Sequence, residues 1–257
     1  MKLTTHVVWL PVALAALGCH KATNISDTSG PPTITRDQTL PLCDQAGAPG
    51  AHGPAMRHVG RLDGSCFWMD ATEVKVGDYA QFLATTPVDA ANVTECAGLN
   101  PSFDSTATVP SDLSLPVGGV DWCDAAAFCK WAGKRLCGAY TVNAAEQSEY
   151  VTTCENGGNT ASNWGNFVDP SVCQGGAKTA AVDVGTKADC VTETMVYDLV
   201  GNVREWTAEC TGTGDTATCE ARGGSYVSKS SDWGCSSARA LARTKTLDDL
   251  GVRCCAD

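Results

Sequence analysis

Residues 197–206 read Tyr-Asp-Leu-Val-Gly-Asn-Val-Arg-Glu-Trp (YDLVGNVREW); RGGSY follows at residues 222–226 and GVRCC at residues 251–255. Asp198 and Glu205 place two carboxylates around a Gly201-Asn202 turn. Close carboxylates with nearby backbone carbonyls suit a hard cation, which takes oxygen ligands. The pair Gly223-Gly224 reads as a turn rather than a phosphate-cradling loop, and no Walker-type or dinucleotide glycine pattern occurs. Upstream stand PVGGVDW (residues 116–122) and AGKRL (residues 132–136).

In this order and over roughly residues 61–257, these segments resemble the formylglycine-generating enzyme, or sulfatase-modifying factor, family. The resemblance implies an α+β fold, the formylglycine-generating-enzyme-like variant of the C-type-lectin fold. Such a domain is loop-rich, low in regular secondary structure and stapled by disulfides. The resemblance also implies a calcium site, with side-chain oxygens from Asp198 and Glu205 and carbonyls from Gly201 and Val203. The alternative is that Glu205 pairs with Arg204 or Arg222 and no ion binds. A second family calcium site has only a partial counterpart, in NWGNF at residues 163–167, without recognisable acidic ligands.

The family oxidises a sulfatase cysteine to formylglycine, using copper held by two cysteines just after RGGS. Aligned without gaps, those positions are Ser228 and Trp233. Copper(I) is soft and takes thiolates. A hydroxyl and an indole cannot replace them, so no catalytic residue is assigned and copper is not expected. Other departures accompany this one. Arg204 and Ser148 stand where the family has tryptophan, and Lys75 stands where it has a helix-capping Ser or Thr.

Fifteen cysteines exceed what a reduced cytosolic protein of 257 residues uses. There is no CxxC pair and no zinc-finger spacing. Disulfides in an oxidising compartment are the expectation. The resemblance implies bridges Cys129–Cys254 and Cys154–Cys235. Spacing suggests Cys210–Cys219 and Cys173–Cys190 as local bridges. Adjacent Cys254 and Cys255 take different partners.

Setting Cys19 aside leaves fourteen cysteines, enough for seven bridges. Lys2 and an apolar run from Val7 to Leu17 precede Ala16-Leu17-Gly18-Cys19, a relaxed bacterial lipobox. Residues 1–18 are therefore read as a signal peptide, with Cys19 as the lipidation site. Residues 19–41 are rich in Ser, Thr, Pro and Gly and read as a tether. Residues 42–257 form the domain. An ordinary signal peptide cut after Gly18 is the alternative. The expected location is the bacterial cell envelope, lipid-anchored, or else the periplasm or medium. The only membrane contact expected is the anchor.

A net charge of -11 disfavours nucleic acid as a partner. All four histidines (His6, His20, His52, His58) precede the recognisable segments, so Ser225 and Ser228 have no imidazole nearby in sequence. The pattern predicts a strand over 67–73 and helices over 76–85, 121–133 and within 141–153. Tyr79, Phe82 and Leu83 should share a buried face, and Asp121 with Asp124 should cap the second helix. Two readings of function result. The first is a non-catalytic lipoprotein that binds an extracytoplasmic ligand or protein, or serves structurally. The second is an oxidoreductase of the formylglycine-generating family.

Overall fold

A computed structural model describes residues 41–85, 93–97, 99, 103, 112–139, 148–155, 169–229 and 232–257. The expected signal peptide, Cys19, nearly all of the tether and the NWGNF loop lie outside the described residues. Among the described residues no helix is long and apolar enough to cross a membrane.

Eight strands and three α-helices carry the fold: β1 Met56–Gly60, β2 Cys66–Asp70, α1 Val76–Ala84, α2 Trp122–Trp131, β3 Arg135–Leu136, α3 Glu149–Cys154, β4 Arg204–Thr211, β5 Thr218–Gly223, β6 Gly234–Ala242, β7 Leu250–Val252 and β8 Cys254–Ala256. They form two four-stranded sheets, ordered β1-β2-β8-β3 and β6-β5-β4-β7. The first is antiparallel throughout, and in the second only β4 and β7 run parallel. Arg253 is the single residue between β7 and β8, so the chain passes there from one sheet to the other.

α2 shows how local sequence sets an element. Asp124 donates its N–H to Asp121 Oδ1 at 2.9 Å, and Asp121 donates its own to Asp124 Oδ2 at 2.9 Å. This reciprocal capping box satisfies two otherwise orphaned amides. At the other end Gly133 adopts φ +74°. Lys134 N–H then reaches Cys129 O, and Gly133 N–H reaches Lys130 O, which is a Schellman stop.

α1 lacks such a start, because Lys75 gives no side-chain cap. Its buried face is Val76, Tyr79 and Phe82; Leu83, expected inside, is 37% exposed. The strand expected over 67–73 ends at Asp70. The helix expected within 141–153 spans Glu149–Cys154, with residues 141–147 outside the described set.

Two apolar cores flank β8. One holds Tyr79, Phe82, Phe128, Trp206 and Leu250; the other holds Phe67, Met69, Tyr150, Leu199 and Trp233. Successive strand residues face opposite ways. Cys254 therefore enters the first core, bonded to Cys129 of α2, and Cys255 enters the second, bonded to Cys137. The other bridges are Cys43–Cys66, Cys96–Cys123, Cys154–Cys235, Cys173–Cys190 and Cys210–Cys219. All fourteen described cysteines are thus bonded in seven pairs, which fits an exported protein.

Bridges restrict the unfolded chain more when they close longer loops. Cys129–Cys254 spans 125 residues and Cys210–Cys219 spans 9. Removing the first pair (C129A/C254A) is expected to cost roughly 2 kcal/mol more than removing the second (C210A/C219A), measured by urea unfolding. Equal costs would contradict the chain-entropy account of these bridges.

Candidate functional site

The segment Asp198–Glu205 folds as a tight loop running into β4. Asp198 and Asn202 adopt φ +57° and +51°, conformations that Asp and Asn accept more readily than other side chains. Asn202 is held by its amide. Its Nδ2 donates to Glu73 Oε2 at 2.8 Å and to Val182 O at 3.1 Å, and its Oδ1 accepts from Val182 N–H at 2.9 Å. Val203 N–H donates to the other Glu73 oxygen at 3.0 Å.

Three buried carboxylates gather here: Glu73, Asp198 and Glu205. Glu205 receives both forks of Arg253, Nε to Oε2 and Nη2 to Oε1, each at 2.8 Å. Asp198 Oδ2 accepts from Gly185 N–H at 2.6 Å. Asp198 Oδ1 is buried with no hydrogen-bond partner among the described residues. One guanidinium thus faces three acids, a local excess of negative charge if all are ionised. Burial pushes the Asp198 carboxyl up to about 6, and nearby Glu205 adds to the rise. Burial, then Asp198 and Glu205, drives Glu73 well above the ordinary carboxylate range.

The second locus lies just past RGGS. Ser228 is buried, and its Oγ accepts from Arg204 Nη2 at 2.7 Å and from Ser225 N–H at 2.9 Å. Ser225 Oγ lies 3.2 Å from Ser228 Oγ and donates to Asp249 Oδ2 at 2.5 Å. Burial lowers the Arg204 guanidinium from its usual range, against the pull of Asp249. Trp233 is buried where side chains are absent. A Cβ on Gly175 would overlap its indole; one on Gly224 would lie 2.9 Å from the ring, and one on Gly201 would lie 3.1 Å from it. Glycines 201 and 224 also adopt positive φ, so both the space and the turn call for glycine.

A copper ion does not fit this donor set. Ser228 offers a hydroxyl already in three polar contacts, and Trp233 offers a packed indole. Cys235, the nearest sulfur in sequence, is bonded to Cys154.

The structure brings Asp198, Gly201, Val203 and Glu205 into one loop and strand start. It corrects the expected ion-pair partners of Glu205. Arg222 reaches instead to Glu209 at 2.6 Å and Glu220 at 2.5 Å, and Arg204 to Ser228. Glu205 pairs with Arg253 because Arg253 sits at the sheet crossing directly beneath β4. Sequence reasoning missed Glu73 and Arg253. Their only signals were an acid at the end of an apolar strand and an arginine between hydrophobic and cysteine positions.

Residues 45–257 match the family of the sulfatase-modifying factor enzyme 1-like domain. The chain is similar to the formylglycine-generating enzyme of Mus musculus, 26% identical over 303 residues, covering 90% of this chain and 78% of that protein. It is 31% identical over 160 residues to a Bos taurus protein named inactive C-alpha-formylglycine-generating enzyme 2, covering 55% of this chain and 50% of that one. Among solved structures, PvdO from Pseudomonas aeruginosa superposes with a TM-score of 0.56 at 16% identity, covering 85% of this chain and 90% of that chain. CarF superposes at 0.54 with 17% identity, covering 81% and 96%. Both likenesses concern the fold alone.

The buried pair yields a stability prediction. Glu205→Gln strips Arg253 of its carboxylate inside the protein, and is expected to cost about 3–5 kcal/mol in chemical denaturation. A cost below about 1 kcal/mol, the range of exposed pairs, would contradict the burial.

Proposed function

Since the chain belongs to the sulfatase-modifying factor enzyme 1-like domain family, we propose that it is a non-catalytic member, with a binding or structural role at the bacterial cell envelope. One observation carries this reading. The two positions that hold copper in the family are a hydrogen-bonded serine and a packed tryptophan, and every described cysteine is already bonded. The lipobox ending at Cys19 supports a lipid anchor, with residues 19–41 holding the domain away from the membrane. The second reading is an oxidoreductase of the formylglycine-generating family, favoured by similarity to the mouse enzyme along 90% of this chain.

A sulfatase-type CxPxR peptide separates the two. Incubated with purified protein, copper and oxygen, the peptide cysteine is expected to stay unmodified by mass spectrometry. Conversion to formylglycine would overturn the non-catalytic reading.

The acidic loop supports a calcium ion. Hard carboxylate and carbonyl oxygens suit calcium, and Asp198 Oδ1 is a buried oxygen with nothing bonded to it. Asp198 and Glu205, with the Gly201 and Val203 carbonyls, would hold the ion. It would balance the charge that Arg253 leaves over and tie the loop to β4.

Proton linkage makes this measurable. Without an ion, Asp198 titrates at about 6 in the folded chain, against about 3.9 when unfolded. The folded state therefore binds more protons between these values. The stability this group gives is full below about pH 4 and is lost as pH rises toward about 6. In chelator near pH 7.5, Asp198→Asn is expected to melt higher than the parent by the equivalent of about 1–3 kcal/mol. Calcium should raise the parent's melting temperature and leave the variant's unchanged. A parent that does not respond to calcium would rule out the site.

A further inference from the structure

A cavity of about 540 Å³ lies between α2 and the later part of β4. Its volume falls in the range of small-molecule sites, roughly 300–1,000 Å³. One wall is Trp122, Ala126 and Lys130, spaced by four on one stripe of α2. The facing wall is Ala208, Cys210 and Gly212, spaced by two on one face of β4 and its continuation. Arg243 and Trp122 meet at one end.

Arg243 is 4% exposed, and no carboxylate among the described residues forms an ion pair with it. Its Nη1 donates to the carbonyl of Glu95 at 2.7 Å, while its Nε is buried without a hydrogen-bond partner. One of five N–H donors is therefore satisfied by protein. The guanidinium carbon lies 4.9 Å from the Trp122 ring centroid, over its face. That contact partly offsets burial of the charge but supplies no counter-ion.

Of the three other cations on the cavity wall, Lys134 pairs with Asp70, Arg135 pairs with Glu149 and Asp257, and Lys130 is exposed to solvent. Arg243 differs from the two paired cations: it is a nearly buried charge, in a chain of net charge -11, with no ion pair among the described residues, although Glu95 also lines the cavity. Such an arrangement is costly unless something anionic completes it.

We propose that this cavity binds a small organic molecule bearing one oxyanion, with the oxyanion on Arg243 and the apolar part between α2 and β4. The site is preorganised. Trp122 Nε1 donates to Thr207 O at 2.8 Å, which fixes the indole. The Arg243 main chain is held at both ends, its N–H by Ala217 O at 3.0 Å and its carbonyl by Trp122 N–H at 2.9 Å. The site is also remote from the copper position. Trp233 directly precedes β6 and Arg243 directly follows it, so nine extended residues separate them, on the order of 30 Å. The proposal gives a ligand class to the binding role above and rests on that role. The peptide assay reads the other end of β6, so the two can fail separately.

Phenylacetate and its uncharged analogue phenylacetamide are suitable probes, titrated into the full chain by calorimetry. A ligand of this size should saturate with a Kd on the order of 1 mM. Phenylacetamide should bind at least about tenfold more weakly, because it cannot satisfy the guanidinium charge. Arg243→Gln should abolish the preference for the acid. Ala126→Phe places a ring in the cavity from a partly exposed helix position, keeps the Arg243 residue itself, and should abolish binding of both probes. It keeps the test decisive if Arg243→Gln does not fold. Absence of saturable phenylacetate binding, equal binding of the amide, or an unaltered A126F titration would each overturn the proposal.

Discussion

The Arg253 guanidinium is the point on which the rest of the structure depends. It donates to Glu205 twice, to Asp70 O at 2.8 Å and to Tyr197 O at 2.8 Å. Those partners belong to β4, to the end of β2 and to the loop that enters the acidic site. A single side chain therefore fixes the relation of both sheets to that loop. Desolvation offsets much of the attraction in a fully buried pair, so its net stabilisation is small. Its consequence is positional, since a shift of register would leave Arg253 and Glu205 buried without each other. Asp70 extends the junction, taking Lys134 on one oxygen at 2.6 Å and the Cys254 amide on the other at 3.0 Å. Two disulfides then leave from consecutive residues to opposite sides.

This junction explains how a domain with so little regular structure stays ordered. β3 has two residues, and β7 and β8 have three each. Strands so short hold few ladder hydrogen bonds, and their placement must come from elsewhere. Cross-links and buried polar pairs supply it, at fixed points rather than along continuous surfaces. Glu149 does the same at the far edge, where it takes Arg61 and Arg135 together.

Much of this was legible in the sequence, and the reasons for the rest are physical. The α2 cap and stop were readable because both depend on residues within five positions. The short Cys210–Cys219 bridge was readable because its cysteines flank a tight hairpin. The partner of Glu205 was not readable, since Arg204 and Arg222 stand closer in sequence and the correct arginine lies 48 residues away. Glu73 was hidden for the same reason, 129 residues from Asn202. Leu83 misled because helical periodicity marks a stripe but not how far along the axis it is covered. Leu83 lies on the same stripe as Val76, seven residues on, but it stands one residue before the end of the helix and is 37% exposed.

The copper position shows how substitutions at one locus constrain each other. An arginine at residue 204 needs an acceptor in a place shielded from water. The hydroxyl of Ser228 provides one, and Asp249 beyond Ser225 supplies the opposite charge. A thiol would be a poor acceptor there. Ser228 and Arg204 therefore act as one unit, and Trp233 closes the space beside them against three glycines. Arg243 marks the contrast. It has the same side chain and the same 4% exposure, yet it lines a cavity and forms no ion pair among the described residues. One arginine is absorbed into the packing around Ser228. The other keeps its charge available, and the difference lies wholly in what surrounds it.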